Sequence, residues 1–493
     1  MVRSLCTSIL AALLVLLLEA CAELKPLPAP EGREAACERF YGQMDRLVAE
    51  HGAADAGVAR VAGFPELRVN RFLASFANED LTDEAYAAWV ERLRKLDETA
   101  RLIEWRNLPP RAAKRLQSPF GLAVGTAVDV CGHILAERDL KSQARRSRLV
   151  EQARVPDSYA TWERVLGLYP LTRWAIVEGV WRVQRELREP FIAARGDVPG
   201  TEQRVRYAPP AAKALGTAEV AEILQQSAVN LLDIPEPAED RLTRLFAAFA
   251  PVWAVDTAGD TDRIGAARIG SDGKAYIDVK EPVVYRLVST TRAGAQILLQ
   301  LNYLIWFPAR PPAGRLDIYA GRFDGLIWRV SLAADGRPLA YDSIHPCGCY
   351  YQIFPGEGFR VVQPQDGSEP ILSPKPIRDL KSGERLVIRL ASRTHFIRGV
   401  TPERAMPGAT VYGWRDYDEL RSLPMPNGRN RSLFATNGLV KDSERPERFL
   451  FWPMGVPSAG AMRQWGTHAT AFLGRRHFDD PRLLEKLLRP LRE

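Results

Sequence analysis

The segment Leu326-Ile-Trp-Arg-Val-Ser-Leu332, then Asp335-Gly336, then Pro338-Leu-Ala-Tyr-Asp-Ser-Ile-His345 decides the fold of the second half of the chain. Two apolar runs flank the dipeptide that best supplies the paired positive-φ residues of a type I′ turn, so the segment predicts an antiparallel β-hairpin. With Ala334 facing Arg337, the register sets Leu332 opposite Leu339, Val330 opposite Tyr341, Arg329 opposite Asp342, Trp328 opposite Ser343 and Leu326 opposite His345. Side chains alternate across a strand, so Leu326, Trp328, Val330, Leu332, Leu339 and Tyr341 share one apolar face. His345 falls on that face as well. A single histidine there is more often a hydrogen-bonded core residue than a ligand or a base.

The second strand runs into His345-Pro-Cys347-Gly-Cys349, which gathers one of six histidines and two of six cysteines into five residues. Pro346 cannot donate to a ladder and Gly348 relaxes the backbone, so regular pairing is expected to break after His345. Three chemistries suit the array: a metal site on His345, Cys347 and Cys349 with zinc as the candidate ion, a local disulfide, or a reactive thiol. In an extended strand His345 and Cys349 would stand ~13 Å apart at ~3.3 Å per residue, too far for one ion. Shared coordination therefore needs a bend at Gly348 and a fourth ligand, for which His395, His468 and His477 are available. Ser343 lacks the Gly-x-Ser-x-Gly elbow, and the chain carries no Walker loop, dinucleotide fingerprint or His-Glu-x-x-His helix. No catalytic residue and no cofactor beyond the zinc alternative is assigned, and whether the protein is an enzyme stays open.

Upstream, Ser271-Asp-Gly-Lys274 reads as a turn between strands at 267–269 and 275–279, and 283–289 is a further strand. Residues 296–307 are almost continuously apolar, which predicts a central strand buried on both faces, although the span also suits a helix. Gln300 and Asn302 within it need hydrogen-bond partners, and Pro308 and Pro311-Pro312 are expected to end it. Downstream come a strand at 385–391, an irregular stretch at 412–431, the apolar residues 449–453 and a closing helix at 481–491.

The amino-terminal part has a helical period instead. Phe40, Met44, Leu47 and Val48 recur at three to four residues, as do Tyr86, Trp89, Val90, Leu93, Leu96 and Ile103 behind the Thr82-Asp-Glu84 start signal, with Pro109-Pro110 as the stop. Helices at 121–137, 139–154 and 172–188 follow, the last with Trp174, Val177, Val180, Trp181 and Leu187 on one side. Lys141, Arg145, Arg146, Arg148 and Arg154 on the second read as a solvated basic face. Residues 195–210 read as a connection, before helices at 217–232 and 238–249. The expected organisation is α+β: an all-helical domain at 34–194, connection and helices at 195–253, and a mixed, mainly antiparallel β-rich domain at 254–493.

At 493 residues, with 46% hydrophobic and 26% charged residues, the chain has the composition of a globular protein of two or three domains. Its net charge of +7 is mild for that length, and no basic and aromatic residues interleave, so a nucleic-acid partner is not expected.

Arg3 precedes an apolar run at 5–18, too short to cross a ~30 Å hydrocarbon layer but suited to a signal peptide. That run ends in Leu18-Glu19-Ala20-Cys21, which resembles the lipobox of bacterial lipoproteins, with Glu19 where the motif usually has an uncharged residue. The resemblance implies a signal peptide at 1–20, acylation of Cys21 (palmitate among the acyl groups), and a tether at 21–33. Ala22 is not the aspartate that retains such proteins at the inner membrane of enteric bacteria, which implies the periplasmic face of the outer membrane. With the Trp306-Phe-Pro308 segment and the His345 to Cys349 array, the chain looks like an envelope lipoprotein family of proteobacteria that supplies no activity and no catalytic residues. The expected function is a membrane-anchored scaffold or binding module, its partners the bilayer and other envelope proteins. The alternative is a metal- or thiol-dependent enzyme centred on His345, Cys347 and Cys349. With Cys6 removed and Cys21 acylated, Cys37, Cys131, Cys347 and Cys349 remain in an oxidising periplasm. Pairing Cys37 with Cys131 and Cys347 with Cys349 requires no cross-domain contact.

Overall fold

The computed structural model describes residues 32–193, 203–404 and 407–491. The signal segment, Cys21 and nearly all of the tether lie outside the described residues. The fold is α+β, a helical amino-terminal part followed by mainly antiparallel sheets.

Helix α1 (Arg33–Glu50) buries Phe40, Met44, Leu47 and Val48, as their spacing requires. Strands β1 (Ala59–Val61) and β2 (Phe64–Val69) form a hairpin, so this part is not all-helical. The hairpin escapes sequence reading because Glu66 and Arg68 look solvent-facing, yet both are fully buried. Arg68 makes a two-pronged pair with Glu104 (2.7 and 3.0 Å) and a 3.0 Å bond to Asp97, both on helix α2 (Asp83–Asn107). The Thr82 side chain caps α2 by accepting from the Ala85 amide at 3.2 Å. Helix α3 (Val124–Leu140) is joined to α1 by the Cys37–Cys131 disulfide, and helix α4 (Gln143–Gln152) follows. On α4 Arg145 is not solvated: it is buried and paired with Asp139.

Helix α5 (Thr161–Leu166) had no sequence signal, and helix α6 (Tyr169–Ala193) is longer than expected. The five apolar residues assigned to one side of α6 divide. Val180 and Leu187 are buried, whereas Trp174 is 71% and Trp181 44% exposed.

The connection expected at 195–210 contains strand β3 (Gln203–Ala208). Helices α7 (Thr217–Ser227) and α8 (Glu239–Phe249) lead to β4 (Val252–Thr257), β5 (Ala266–Ile269), β6 (Ala275–Asp278), β7 (Val283–Ala293), β8 (Gln296–Arg310), β9 (Gly321–Leu332), β10 (Pro338–Ile344), β11 (Gln352–Pro355), β12 (Phe359–Val361), β13 (Arg385–Leu390), β14 (Ile397–Glu403), β15 (Thr410–Val411) and β16 (Gly413–Asp416). One sheet has the order β11-β10-β9-β8-β7-β16 and another β14-β13-β4-β3-β15. Leu301, Tyr303, Ile305, Trp328 and Val330 of the first pack with Trp253, Val255 and Ile388 of the second. The intervening residues Leu304, Trp306 and Ile327 point into a separate core. Strand β8 is therefore buried on both faces. Gln300 and Asn302 find Ser331, Ser289 and the Leu287 carbonyl. Pro308 does not end β8: it lies between the Phe307–Asp324 and Ala309–Arg322 pairs, where no ladder amide is needed.

The hairpin pairs Tyr341 with Val330, Asp342 with Arg329 and Ser343 with Trp328 as expected. Leu332 instead pairs with Pro338, and a bulge at Leu339 restores the register. The turn differs too. The Gly336 amide donates to the Ala333 carbonyl at 2.9 Å, and Gly336 (φ 84°) is left-handed while Asp335 is not, which makes a three-residue turn. A Cβ on Gly336 would meet the Thr217 carbonyl of α7 at 2.2 Å. Regular pairing stops at Ile344, one residue early. At the carboxyl end, the expected long helix is a short one, Leu483–Leu487, followed by a strand that pairs with β12.

Candidate functional site

The segment after β10 folds into a tight reversal. The Gly348 amide donates to the His345 carbonyl at 2.8 Å and the His345 amide to the Cys349 carbonyl at 3.1 Å. Gly348 adopts φ 90°, and a Cβ there would lie 2.4 Å from the Ala469 carbonyl, so only glycine lets the turn pack against that segment.

Within the turn the cysteines are separate thiols, not the local disulfide expected. Cys347 is buried, and its sulfur accepts the Cys349 amide at 3.4 Å, while Cys349 is partly exposed. Burial pushes the Cys347 thiol up, but the hydrogen bond from the Cys349 thiol and the nearby Arg445 charge outweigh it and the net shift is downward. Cys349 moves up, because it donates to Cys347 and is itself desolvated. Two buried arginines frame the pair. Arg463 donates through Nε to the Cys347 carbonyl at 3.1 Å and through its amide to the Pro346 carbonyl at 2.8 Å. Arg445 donates to the Phe323 carbonyl at 3.0 Å and lies 3.6 Å from the Asp324 carboxylate.

His345 turns away from the thiols. Its Nδ1 lies 3.1 Å from Asp324 and its ring packs edge-on against Tyr350 and Phe396. Asp324 also binds His395 Nδ1 at 2.8 Å, and His395 Nε2 reaches Asp262 at 3.2 Å, with the His395 ring stacked 3.8 Å from that of Phe307. The result is a buried chain Asp262–His395–Asp324–His345. A neutral imidazole has one N–H and cannot donate to two carboxylates, so His395 is the protonated member. Burial opposes its charge, but Asp262 and Asp324 raise its pKa. Asp324 is held well below the usual carboxylate range: His345, His395 and Arg445 overcome its desolvation. Burial lowers His345, which stays neutral.

The sequence-predicted set therefore separates. Cys347 and Cys349 come together, His345 serves the carboxylate chain, and His395 joins His345 through Asp324. Among the described residues no group of three or more His, Cys, Asp or Glu side chains could hold a metal ion, so the His345, Cys347 and Cys349 ligand set is not assembled. His468 is buried and shifted down to about 3 by desolvation, and His477 bonds Asp157 at 3.0 Å. Sequence reasoning missed Asp262, Asp324, Arg445, Glu447 and Arg463, which belong to no motif; Arg445 and Glu447 sit in the charged stretch 441–448, which reads as an ordinary polar loop. Asp324 alone gave a signal, as a lone carboxylate beside the apolar run of β9.

Cys349 opens on a mostly apolar cleft of about 90 Å³ between α6 and the β10–β11 turn. Its walls include Val180 and Leu187 of α6, Tyr350, Phe472 and Glu447. Burial lifts the Glu447 carboxyl to about 7. The Gln184 amide donates to the Pro370 carbonyl at 2.8 Å, and its buried oxygen, also on the wall, has no partner.

The outer side of the same region is an unusual surface. Helices α5 and α6 pack on α9 (Arg448–Phe451) and the turn after it: the Ala160 amide donates to the Gly455 carbonyl and Arg164 Nε to the Met454 carbonyl, both at 2.8 Å. Around this seam Trp162, Leu166, Leu168, Leu171, Trp174 and Phe449 are all more than half exposed. Monomeric soluble proteins rarely expose contiguous apolar surface of that kind. The carboxyl-terminal half of α6 instead exposes Arg182, Arg185, Glu186, Arg188 and Glu189. Among the described residues no helix is long and apolar enough to cross a membrane.

No protein-family model matches the chain, and no curated protein or solved structure is detectably similar to it.

Proposed function

We propose that the protein is a membrane-anchored cell-envelope lipoprotein acting as a scaffold or binding module, held to the bilayer by acylated Cys21 and by the apolar surface of α5, the start of α6 and α9. The exposed tryptophans and leucines of that surface carry the reading. Tryptophan and leucine on a helix face whose other part is charged is the composition of an element lying in the membrane interface. Tether length favours a bilayer as the occupant. Eleven residues separate Cys21 from Arg33, the first of α1, and the twelve steps between the two span at most ~43 Å when extended, so a lipid-anchored body stays close to the membrane. The lipobox resemblance supports export and the periplasmic face of the outer membrane.

Two measurements test this. Labelled palmitate is expected to enter the full-length protein and not Cys21→Ser. Residues 22–493, lacking the acyl group, are expected to float with phospholipid vesicles, and Trp162→Glu with Trp174→Glu is expected to lower the bound fraction at least about tenfold, since each buried tryptophan contributes on the order of 2 kcal/mol. Palmitate retained by Cys21→Ser overturns the anchor. A soluble dimer that ignores vesicles and dissociates in the double variant assigns the surface to a second copy.

A further inference from the structure

We propose that Cys347 and Cys349 are a reversible thiol–disulfide exchange pair acting on protein thiols and disulfides presented in the cleft beneath α6. The turn carries this inference, which stands independently of membrane attachment. Gly348 brings the two cysteines into one reversal whose backbone hydrogen bonds hold them side by side, close enough for the Cys347 sulfur to accept the Cys349 amide. The two sulfurs differ in access. Cys349 lines the cleft and is partly exposed, whereas Cys347 is 1% exposed and lies behind it. A substrate sulfur can therefore reach only one member of the pair. The other has what a leaving thiolate needs: a backbone N–H aimed at it and the charge of Arg445 nearby. By contrast the Cys37–Cys131 bridge is fully buried and has no such opening.

Starting from the oxidised pair, a substrate thiolate attacks the Cys349 sulfur. The new bond joins substrate to Cys349, the Cys347–Cys349 bond breaks, and its electron pair leaves on Cys347 as thiolate. A second substrate thiolate then attacks the substrate sulfur of the mixed disulfide. Cys349 departs and takes a proton from solvent, the substrate is oxidised to its disulfide by two electrons, and the pair is left reduced. A low-molecular-weight disulfide such as oxidised glutathione restores the oxidised pair by the same steps in reverse. At about 90 Å³ the cleft has room for the reacting cysteine side chain, with the rest of the substrate segment outside it.

The test uses the full-length protein in detergent, with oxidised glutathione as probe and mass mapping as readout. In the wild type, Cys347 and Cys349 are expected to lose two hydrogens together and to be restored by reduced glutathione, while Cys37–Cys131 stays intact. Cys347→Ser is expected to accumulate one glutathione on Cys349. Cys349→Ser is expected to modify Cys347 at least about tenfold more slowly, because the buried sulfur is shielded. Equal modification of the two single variants, or a wild-type pair that takes up glutathione on both sulfurs without closing, overturns the proposal. A variant that loses its far-ultraviolet spectrum is replaced by the corresponding alanine. The wild type supplies a second readout that needs no variant: oxidation of a two-cysteine peptide by oxidised glutathione, expected to run at least about tenfold faster with the protein than without it. No acceleration overturns the proposal.

Discussion

Replacing Asp342 by alanine tests the predicted hairpin register and the energetics of the core together. Asp342 and Arg329 face each other across β9 and β10 and are 1% and 2% exposed. Arg329 Nε binds one carboxylate oxygen at 2.8 Å, Nη2 binds the other, and Nη1 donates to the Phe478 carbonyl at 2.6 Å. The guanidinium lies 3.7 Å from the centre of the Phe478 ring, and Tyr351 donates its hydroxyl to Asp342 at 3.2 Å. Asp342→Ala leaves a cation with no route to water, which costs about 3 to 5 kcal/mol, and deprives Tyr351 of an acceptor for about 1 kcal/mol more. A loss of about 4 to 6 kcal/mol is comparable to the whole stability of many domains. Arg329→Met combined with Asp342→Leu removes both charges while filling the space. It is expected to lie within about 2 kcal/mol of the wild type, far from the sum of the single changes. Urea unfolding followed by near-ultraviolet signal reads the midpoint for each variant. A single variant within about 1 kcal/mol of the wild type, or a double variant whose loss equals that sum, would refute the reasoning.

Glu447 makes stability depend on pH. Its folded pKa of about 7 exceeds the ordinary 4.5, so its contribution is fully present below pH 4.5 and is lost as pH rises through 7, a span of ~3 kcal/mol at 1.36 kcal/mol per unit. Glu447→Gln is expected to flatten that decline in melts recorded from pH 4 to 8; an unchanged slope would assign the pH dependence elsewhere. Gly336→Ala forces a side chain into φ 84° and against the Thr217 carbonyl. A loss of at least ~2 kcal/mol in urea unfolding is expected, and a variant as stable as the wild type would show that the hairpin tip can move off α7.

Local chemistry made much of the fold legible. Strand period put Arg329 opposite Asp342 although the Asp335-Gly336 turn is not the two-residue one expected: the bulge at Leu339 restores the register, since a one-residue slip would have sent Trp328 and Val330 to the wrong face. The apolar continuity of 296–307 marked a segment buried on all sides, and the structure chose the strand over the helix that the span also suited. Thr82 started α2 because its hydroxyl caps the first turn whatever packs elsewhere, and Cys37 was paired with Cys131 because both lie in the helical part, so that no cross-domain contact is needed.

What remained hidden depends on partners distant in the chain. The strand through Arg68 gave no sequence signal because a single sequence cannot show that Glu104 and Asp97 wait for that arginine on α2. Trp174 and Trp181 were placed on the same side of the helix as the buried Val180 and Leu187, because helical period reveals that a face is apolar but not whether anything covers it. The Asp335-Gly336 turn took its shape from α7, and β8 ran through Pro308 because that position needs no ladder amide. Most of all, Asp262, Asp324, His345 and His395 converge from four places into one hydrogen-bonded chain, and Arg445 and Arg463 close around Cys347 from the far end of the chain. Propensity, periodicity and caps act over a few residues and are written in the sequence. Charge pairing and shielding from water act through space, so only the packed sheets decided which sulfur faces the cleft and which lies beneath it.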